Sequence, residues 1–335
     1  MKFTDFAGNE RIVEHFKKAL ERKQLGHAYL FSGPAGTGKS TLARLICKTL
    51  LCKKPGPNGP DNECASCHKF DSGNHSDFHY FEPDGLYFKI DLVRQIIHQA
   101  SLRPVESQWK TFVLEGADLM RDEAANALLK VLEEPPGQAI LFLIAQSSEA
   151  LLPTIRSRCQ NFAFQPLQNR EIERVLASSG EFDKKEAQER ARYSQGSLGR
   201  ARSLDPDQYV QVRDKVLAAL EAALAPKSYH ILFDAIRAIT VERTEMPERF
   251  LILEELIRDT LLLQTSPQAQ LIHDDARTRI AELSRKIDAG NLRQLYDRLL
   301  EAREAVLKVN ANIGLALQSV LLPARVNSAP AQPKS

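Results

Sequence analysis

The sequence predicts an α/β domain on a mostly parallel sheet, followed by material that is helical throughout. Over the first half of the chain, short apolar runs alternate with longer amphipathic stretches, as strands joined by crossover helices do. After Pro166 the strand-like runs stop and helical periodicity alone remains. A complete phosphate-loop motif between the first strand and the next helix places a nucleotide site in the first part.

Five strands are expected at "HAYLFSG" (27–33), "FHYFEP" (78–83), "KTFVLEG" (110–116), "AILFLIA" (139–145) and "NFAFQPL" (161–167), each bounded by Gly, Pro or polar residues. Helices are expected between them at Ser40 to Leu51, Ile90 to Ser101 and Arg121 to Glu134. On the last of these, Leu128, Leu129 and Leu132 should face the sheet. Beyond Pro166, "LQNREIERVLASSG", "DKKEAQERARYSQGS" and the stretch from Asp205 onward are helical in period, with breaks at Gly180, Gly196 and Pro226. A break near Pro206 divides the helical part. The pattern from Asn291 to Leu322 reads as one long helix or a helical pair, with Leu292, Tyr296, Leu299, Ala302 and Val306 along one face. Asn310 and Asn312 are then helix-surface polars, and the tail "NSAPAQPKS" has a disordered composition.

At 335 residues the chain can bury a substantial core in roughly two or three domains. Lys+Arg 45 against Asp+Glu 43 leaves +2, so no global basic field draws the chain to nucleic acid. The N-terminal residues lack the apolar core of a secretory signal. "AILFLIA" is strand length, far short of the ~20 residues of a membrane span. The expected location is therefore cytoplasmic, with no membrane partner.

The phosphate motif is Gly33-Pro34-Ala35-Gly36-Thr37-Gly38-Lys39-Ser40, a full GxxxxGK[ST]. Gly33, Gly36 and Gly38 let backbone N–H groups turn inward around an anion at a helix N-terminus. Lys39 supplies a charge, Ser40 offers a hydroxyl to magnesium, and Thr41 is counted with the nucleotide-binding residues. A P-loop enzyme places a magnesium carboxylate and a water-activating glutamate side by side at the end of a neighbouring strand. Here that strand ends Glu115-Gly116. Glu115 can serve the metal, but Gly116 cannot polarise water, and Asp118 is two residues further on in a turn. Nucleotide binding is expected, as ATP or ADP with magnesium, and intrinsic hydrolysis is expected to be weak or absent.

Five cysteines are present, three of them clustered as Cys52, Cys64 and Cys67. Cys-x-x-Cys is half a zinc site, with Asp61, Glu63, His68 or His75 available as a fourth ligand; free thiols are the alternative. Cys47 and Cys159 read as small core residues.

"DEAANALLKVLEEPP" (122–136), "LLPTIRSRCQNF" (151–162), the cysteine insert after the phosphate loop, and the late "VNANIGLALQSVLL" together resemble the bacterial replicative clamp loaders. These are AAA+ proteins of the DNA polymerase III holoenzyme, and the resemblance spans nearly the whole chain. Within that family the chain looks like the delta-prime branch rather than the ATP-hydrolysing gamma/tau motors. The motors carry Asp-Glu where Glu115-Gly116 stands, and a GSxRDA motif where this chain has Gly196-Ser197-Leu198-Gly199-Arg200. Gln146-Ser147 follows the strand where the family keeps a first sensor residue, and is equally a simple turn.

The resemblance implies a nucleotide-binding domain over 1–166, a helical lid over 167–206, a helical collar for oligomerisation over 207–327 and a tail over 328–335. It implies a zinc ribbon spaced C-x8-C-x2-C-x2-C, in which Asp61 occupies the second cysteine position. It also implies that the arginine of "SRC", Arg158, reaches into a neighbour's ATP site; a surface residue or an intramolecular ion pair is the plainer alternative. The implied partners are motor and delta subunits in a hetero-pentamer, and through it the sliding clamp and primer–template DNA. An autonomous AAA+ ATPase, or a gamma/tau-type motor, is the alternative function; a zinc-dependent nucleic-acid module is a third, disfavoured by the near-neutral charge.

Overall fold

The computed structural model describes residues 1–83, 85, 87–135, 137–224 and 229–327. Pro226 and the tail from residue 328 lie outside the described residues. The chain forms two compact units, Met1–Leu204 and Asp205–Ser335.

In the first unit, helices and strands alternate as α1 (Glu10–Glu21), β1 (Ala28–Ser32), α2 (Lys39–Leu51), α3 (Ala65–Asp71), β2 (Phe78–Phe81), α4 (Ile90–Ser101), β3 (Lys110–Leu114), α5 (Asp122–Glu133), β4 (Ala139–Ala145), α6 (Pro153–Arg156) and β5 (Gln160–Ala163). All five expected strands form; β4 keeps its expected bounds, the other four are trimmed by one to four residues at an end, and β5 also starts one residue early. The sheet order is β2-β3-β4-β1-β5, and every pairing is parallel. Strands β1, β3 and β4 are buried along their whole length because helices cover both faces, which is why they read as mostly apolar runs, with polar Ser32, Lys110 and Thr111 only at strand ends. Edge strands β2 and β5 are half-exposed and more polar.

Alternate residues of the strands feed two cores. Leu30, Phe112, Leu114, Leu141 and Leu143 pack with Val93 and Ile96 of α4 and Leu128 and Leu132 of α5. Tyr29, Phe31, Val113, Phe142 and Ile144 pack on the other face with Phe16 of α1 and Leu42 and Ile46 of α2. Leu129 is only partly buried at the rim of the first core. Cys47 and Cys159 are buried, as read from the sequence, and burial pushes both thiols up to about 12.

Three further helices complete this unit: α7 (Asn169–Ser179), α8 (Lys184–Tyr193) and α9 (Leu198–Ser203). Gly180 ends α7 in the left-handed conformation, and Ser197 caps α9 by accepting a hydrogen bond from the Arg200 N–H. Leu167, Ile172, Leu176, Ala187, Ala191 and Ala201 form their own small core.

The second unit is helical: α10 (Pro206–Leu224), α11 (Tyr229–Ile239), α12 (Met246–Thr265), α13 (Arg277–Ser284), α14 (Ala289–Lys308) and α15 (Ile313–Asn327). The last long pattern is thus a helical pair. Asn310, at φ 64, and Asn312, whose side chain accepts from the Leu315 N–H, make the turn between the two helices, so neither is the helix-surface polar expected. Tyr296 is 36% exposed; Leu295, not Tyr296, joins Leu292, Leu299, Ala302 and Val306 in the core.

A charged cluster is buried among these helices. His273, Glu255 and Asp259 are each no more than 1% exposed. His273 Nδ1 lies 3.1 Å from Asp259, and Nε2 lies 3.4 Å from Glu255 and 2.8 Å from the Tyr209 hydroxyl, which itself donates to Glu255. Burial by itself lowers the imidazole pKa, but hydrogen bonds and charge from Asp259 and Glu255 more than offset it, and the pKa is raised. A raised folded-state value means the cluster stabilises fully below the unfolded value of about 6.5. That contribution is lost as pH rises through the raised value. The melting temperature of the protein should therefore fall with rising pH on the alkaline side of 6.5, and His273→Gln should be less stable at pH 6 and flatten the slope. An unchanged slope in that variant would show that His273 does not carry the charge.

Candidate phosphate, arginine and cysteine sites

The phosphate loop leaves the C-terminal end of β1 and enters α2. Gly33, at φ +139, passes so close to β5 that a Cβ there would lie 2.4 Å from the Phe164 carbonyl oxygen. Gly38 stands at the α2 N-terminus with no side-chain cap, which leaves the first-turn N–H groups to an external acceptor. Lys39 is 6% exposed, and its ammonium donates to the loop's own carbonyls at Gly33 (2.6 Å) and Pro34 (2.7 Å). Burial lowers its pKa, partly offset by Glu115 and Asp118.

Opposite the loop, Glu115 follows β3 directly. The Ser40 hydroxyl donates to its carboxylate, and the Tyr80 hydroxyl reaches the same oxygen at 3.4 Å. Glu115 and Ser40 thus converge on one point, as a magnesium site requires. Gly116 has φ +68 and opens a tight turn over Ala117–Leu119, so glycine there is a backbone requirement as well as a missing base. Asp118 is committed elsewhere: its carboxylate accepts the Gln146 N–H at 3.1 Å. That contact places Gln146 at the turn after β4, on the wall of the same cavity. The cavity, of about 790 Å³, is lined by Gly36, Gly38, Lys39, Ser40, Thr41 and Glu115 together with Leu198, Gly199 and Arg202 of α9. A concave site with uncapped N–H groups, a buried lysine and a hydroxyl–carboxylate pair fits a magnesium nucleotide.

Arg158 lies between α6 and β5. Its guanidinium pairs with Glu133, at the end of α5, at 2.6 Å and donates to the Thr154 carbonyl at 2.9 Å. β5 is parallel to β1, with Tyr29 opposite Gln160 and Ser32 opposite Ala163. Arg158 therefore sits at the N-terminal ends of the strands and the phosphate loop at their C-terminal ends. Strand rise separates the two by roughly 13–17 Å.

The cysteine insert is compact. Cys52 ends α2, Cys64 caps α3 and Cys67 lies in its first turn. One ligand atom from each of Cys52, Asp61, Cys64 and Cys67 falls within 4.8 Å of every other. The Cys52 and Cys64 sulfurs are 3.9 Å apart, too far for a disulfide and close to the spacing of about 3.8 Å across a tetrahedral zinc–thiolate site. The Asp61 N–H donates to Cys52 Sγ at 3.4 Å, while its carboxylate accepts from the Cys64 and Glu63 N–H groups. Those two donors hold the carboxyl well below the usual carboxylate range. This donor set fits zinc.

His75 does not join the four. It is buried, with Nε2 2.9 Å from the Ser66 hydroxyl, which in turn donates to the Leu51 carbonyl at 2.5 Å. Its Nδ1 accepts the Asp77 N–H at 3.1 Å. The fully buried Asp77 carboxylate takes the N–H groups of Val105, Glu106 and Ser107 at 2.6, 2.9 and 2.8 Å. This chain ties the insert to β2 and to the loop before β3. Sequence reading did not find Ser66 or Asp77, since lone polar residues carry no periodic signal.

Two sequence-family models match the chain: one described as DNA polymerase III, delta subunit, over residues 8–168, and one as DNA polymerase III, delta subunit, C terminal, over residues 207–324. The DNA polymerase III subunit delta' of Bacillus subtilis is 30% identical over 307 residues, covering 91% of this chain and 92% of that protein. The chain belongs to the DNA polymerase III delta-prime family. The Pseudomonas aeruginosa delta' subunit is 41% identical over 140 residues, 41% of this chain and 43% of that one. The tau subunit of B. subtilis is 28% identical over 92% of this chain, but the alignment spans only 59% of tau. The clamp-loader resemblance read from "NALLKVLEEPP" and "SRC", and the delta-prime branch read from Glu115-Gly116 and Gly196-Ser197-Leu198-Gly199-Arg200, are therefore correct. Among the described residues, no helix is long and apolar enough to cross a membrane.

Proposed function

We propose that this delta-prime chain is a stator of the clamp loader that lends Arg158 to the ATP site of an adjacent motor subunit. The observation that carries the reading is the placement of Arg158 at the opposite end of the sheet from this chain's own phosphate cavity. An arginine there cannot serve the nucleotide in cis. Half-buried beside the edge strand β5, with 34% of its side chain exposed, it is open to a neighbour, where a guanidinium stabilises charge developing on the γ-phosphate. Its partner Glu133 is 48% exposed, and such a surface ion pair contributes only ~0–1 kcal/mol, so exchange for a phosphate costs little.

The chain's own site supports binding of ATP or ADP with magnesium through Gly33, Gly36, Gly38, Lys39, Ser40, Thr41 and Glu115, without efficient hydrolysis. Gly116 supplies no base, and Asp118 is spent on Gln146. Ser40 and Glu115 are the residues that would hold magnesium, which would supply positive charge against the phosphates. The lid role belongs to α7–α9 and the collar role to the second unit. The partners in this reading are motor and delta subunits in a five-membered ring that places the sliding clamp on primed DNA. Arg158→Ala should leave folding and assembly intact while lowering clamp- and DNA-stimulated ATPase of the reconstituted complex by about 10³-fold at the affected site. Full stimulated ATPase in that complex would defeat the reading.

Zinc is the occupant proposed for Cys52, Asp61, Cys64 and Cys67, in a structural role that joins α2 to α3. Metal analysis of the purified chain should give one zinc per chain. Cys67→Ser should lose the metal and lower the melting temperature, whereas Asp61→Cys should keep it and resist chelators longer. Metal-free protein with an unchanged melt on chelation would show a thiol cluster instead.

A further inference from the structure

We infer that Arg202 is the lid-side cation for the terminal phosphate of a nucleoside triphosphate in this chain's cavity. The inference deepens the nucleotide-binding reading above and rests on it. Four carboxylates line the cavity, Asp5, Glu82, Glu115 and Asp118, against two basic side chains, Lys39 and Arg202. The Lys39 ammonium already donates to two loop carbonyls. A polyphosphate entering so acidic a cavity needs a further cation beyond magnesium, and Arg202 is the side chain present to supply it.

Its placement is fixed by the fold. The first turn of α9 rests on the tip of the phosphate loop: a Cβ on Gly36 would lie 1.9 Å from Ser197 Oγ, and a Cβ on Gly199 would lie 3.7 Å from the Gly36 Cα. Arg202 is three residues beyond Gly199, on the same helix face. The backbone beneath it is clamped, because Arg190 donates to the carbonyls of Ala201, Arg202 and Leu204 while paired to Glu186 and set over the Phe182 ring at 4.1 Å. The Arg202 guanidinium, by contrast, is exposed and carries no ion pair among the described residues. A rigid backbone with an uncommitted, fork-shaped cation over a phosphate cavity suits bidentate capture of a phosphate.

A cation aimed at the terminal phosphate discriminates ATP from ADP. Equilibrium binding of ATP and of ADP to the full chain, with magnesium, tests this. Arg202→Gln should weaken ATP about tenfold and ADP by less than about threefold, with Arg202→Lys between the two. The nucleotide-free melting temperature should not move. ATP affinity equal to the parent's, or equal losses for ATP and ADP, would overturn the assignment of Arg202. Failure of the parent chain to bind either nucleotide would instead overturn the reading on which it rests.

Discussion

The parallel registry of β1 between β4 and β5 is the constraint on which the chemistry depends. Because all five strands run the same way, everything that follows a strand gathers at one end of the sheet and everything that precedes one gathers at the other. The phosphate loop, Glu115 and Gln146 follow β1, β3 and β4. Arg158 and Glu133 precede β5 and β4. The registry is locked by packing: Phe16 meets Tyr29 and Phe31 edge-on at 5.0 and 5.4 Å, and Tyr29 stacks on Phe142 at 5.1 Å. One sheet therefore holds a nucleotide-type site at one end and, at the other, an arginine that cannot reach it, and the proposed donation to a neighbour rests on that separation.

Much of this was legible in the sequence because it is periodic or spaced. Mostly apolar runs announced β1, β3 and β4, since strands buried on both faces keep polar residues to their ends, as Ser32, Lys110 and Thr111 are. The phosphate loop was legible because a cradle of N–H groups demands glycines at set intervals before a helix. The cysteine insert was legible in part: Cys52, Cys64 and Cys67 do converge. The resemblance had already set Asp61 in the second cysteine position, and the folded backbone shows why His75 stays out, held by Ser66 and the Asp77 N–H. A histidine with a buried serine beside it has the same one-letter code as a ligand.

What stayed hidden is polar, buried and long-range. Asp77 holds three N–H groups of a loop some thirty residues away, and His273 is pinned between carboxylates from another helix; neither leaves a local pattern. Gly116 shows the opposite failure, in which the sequence pointed to a missing base and the backbone supplied a second reason. With φ +68 it opens the turn that brings Asp118 to Gln146, so glutamate there would be strained by ~1–2 kcal/mol and would not restore a motor site. The glycine at 116 is thus matched by the backbone of the turn. The sequence left open one long helix or a helical pair around Asn310, because apolar periodicity resumes in phase after the break.

The most direct test of a chain that holds a nucleotide and lends its arginine is binding and turnover measured together on the isolated chain, with ATP and magnesium. The account predicts saturable binding of one nucleotide per chain, lost in Lys39→Ala, with no turnover above background. Sustained turnover by the unmodified chain, abolished by Lys39→Ala, would contradict it and make this subunit a motor in its own right.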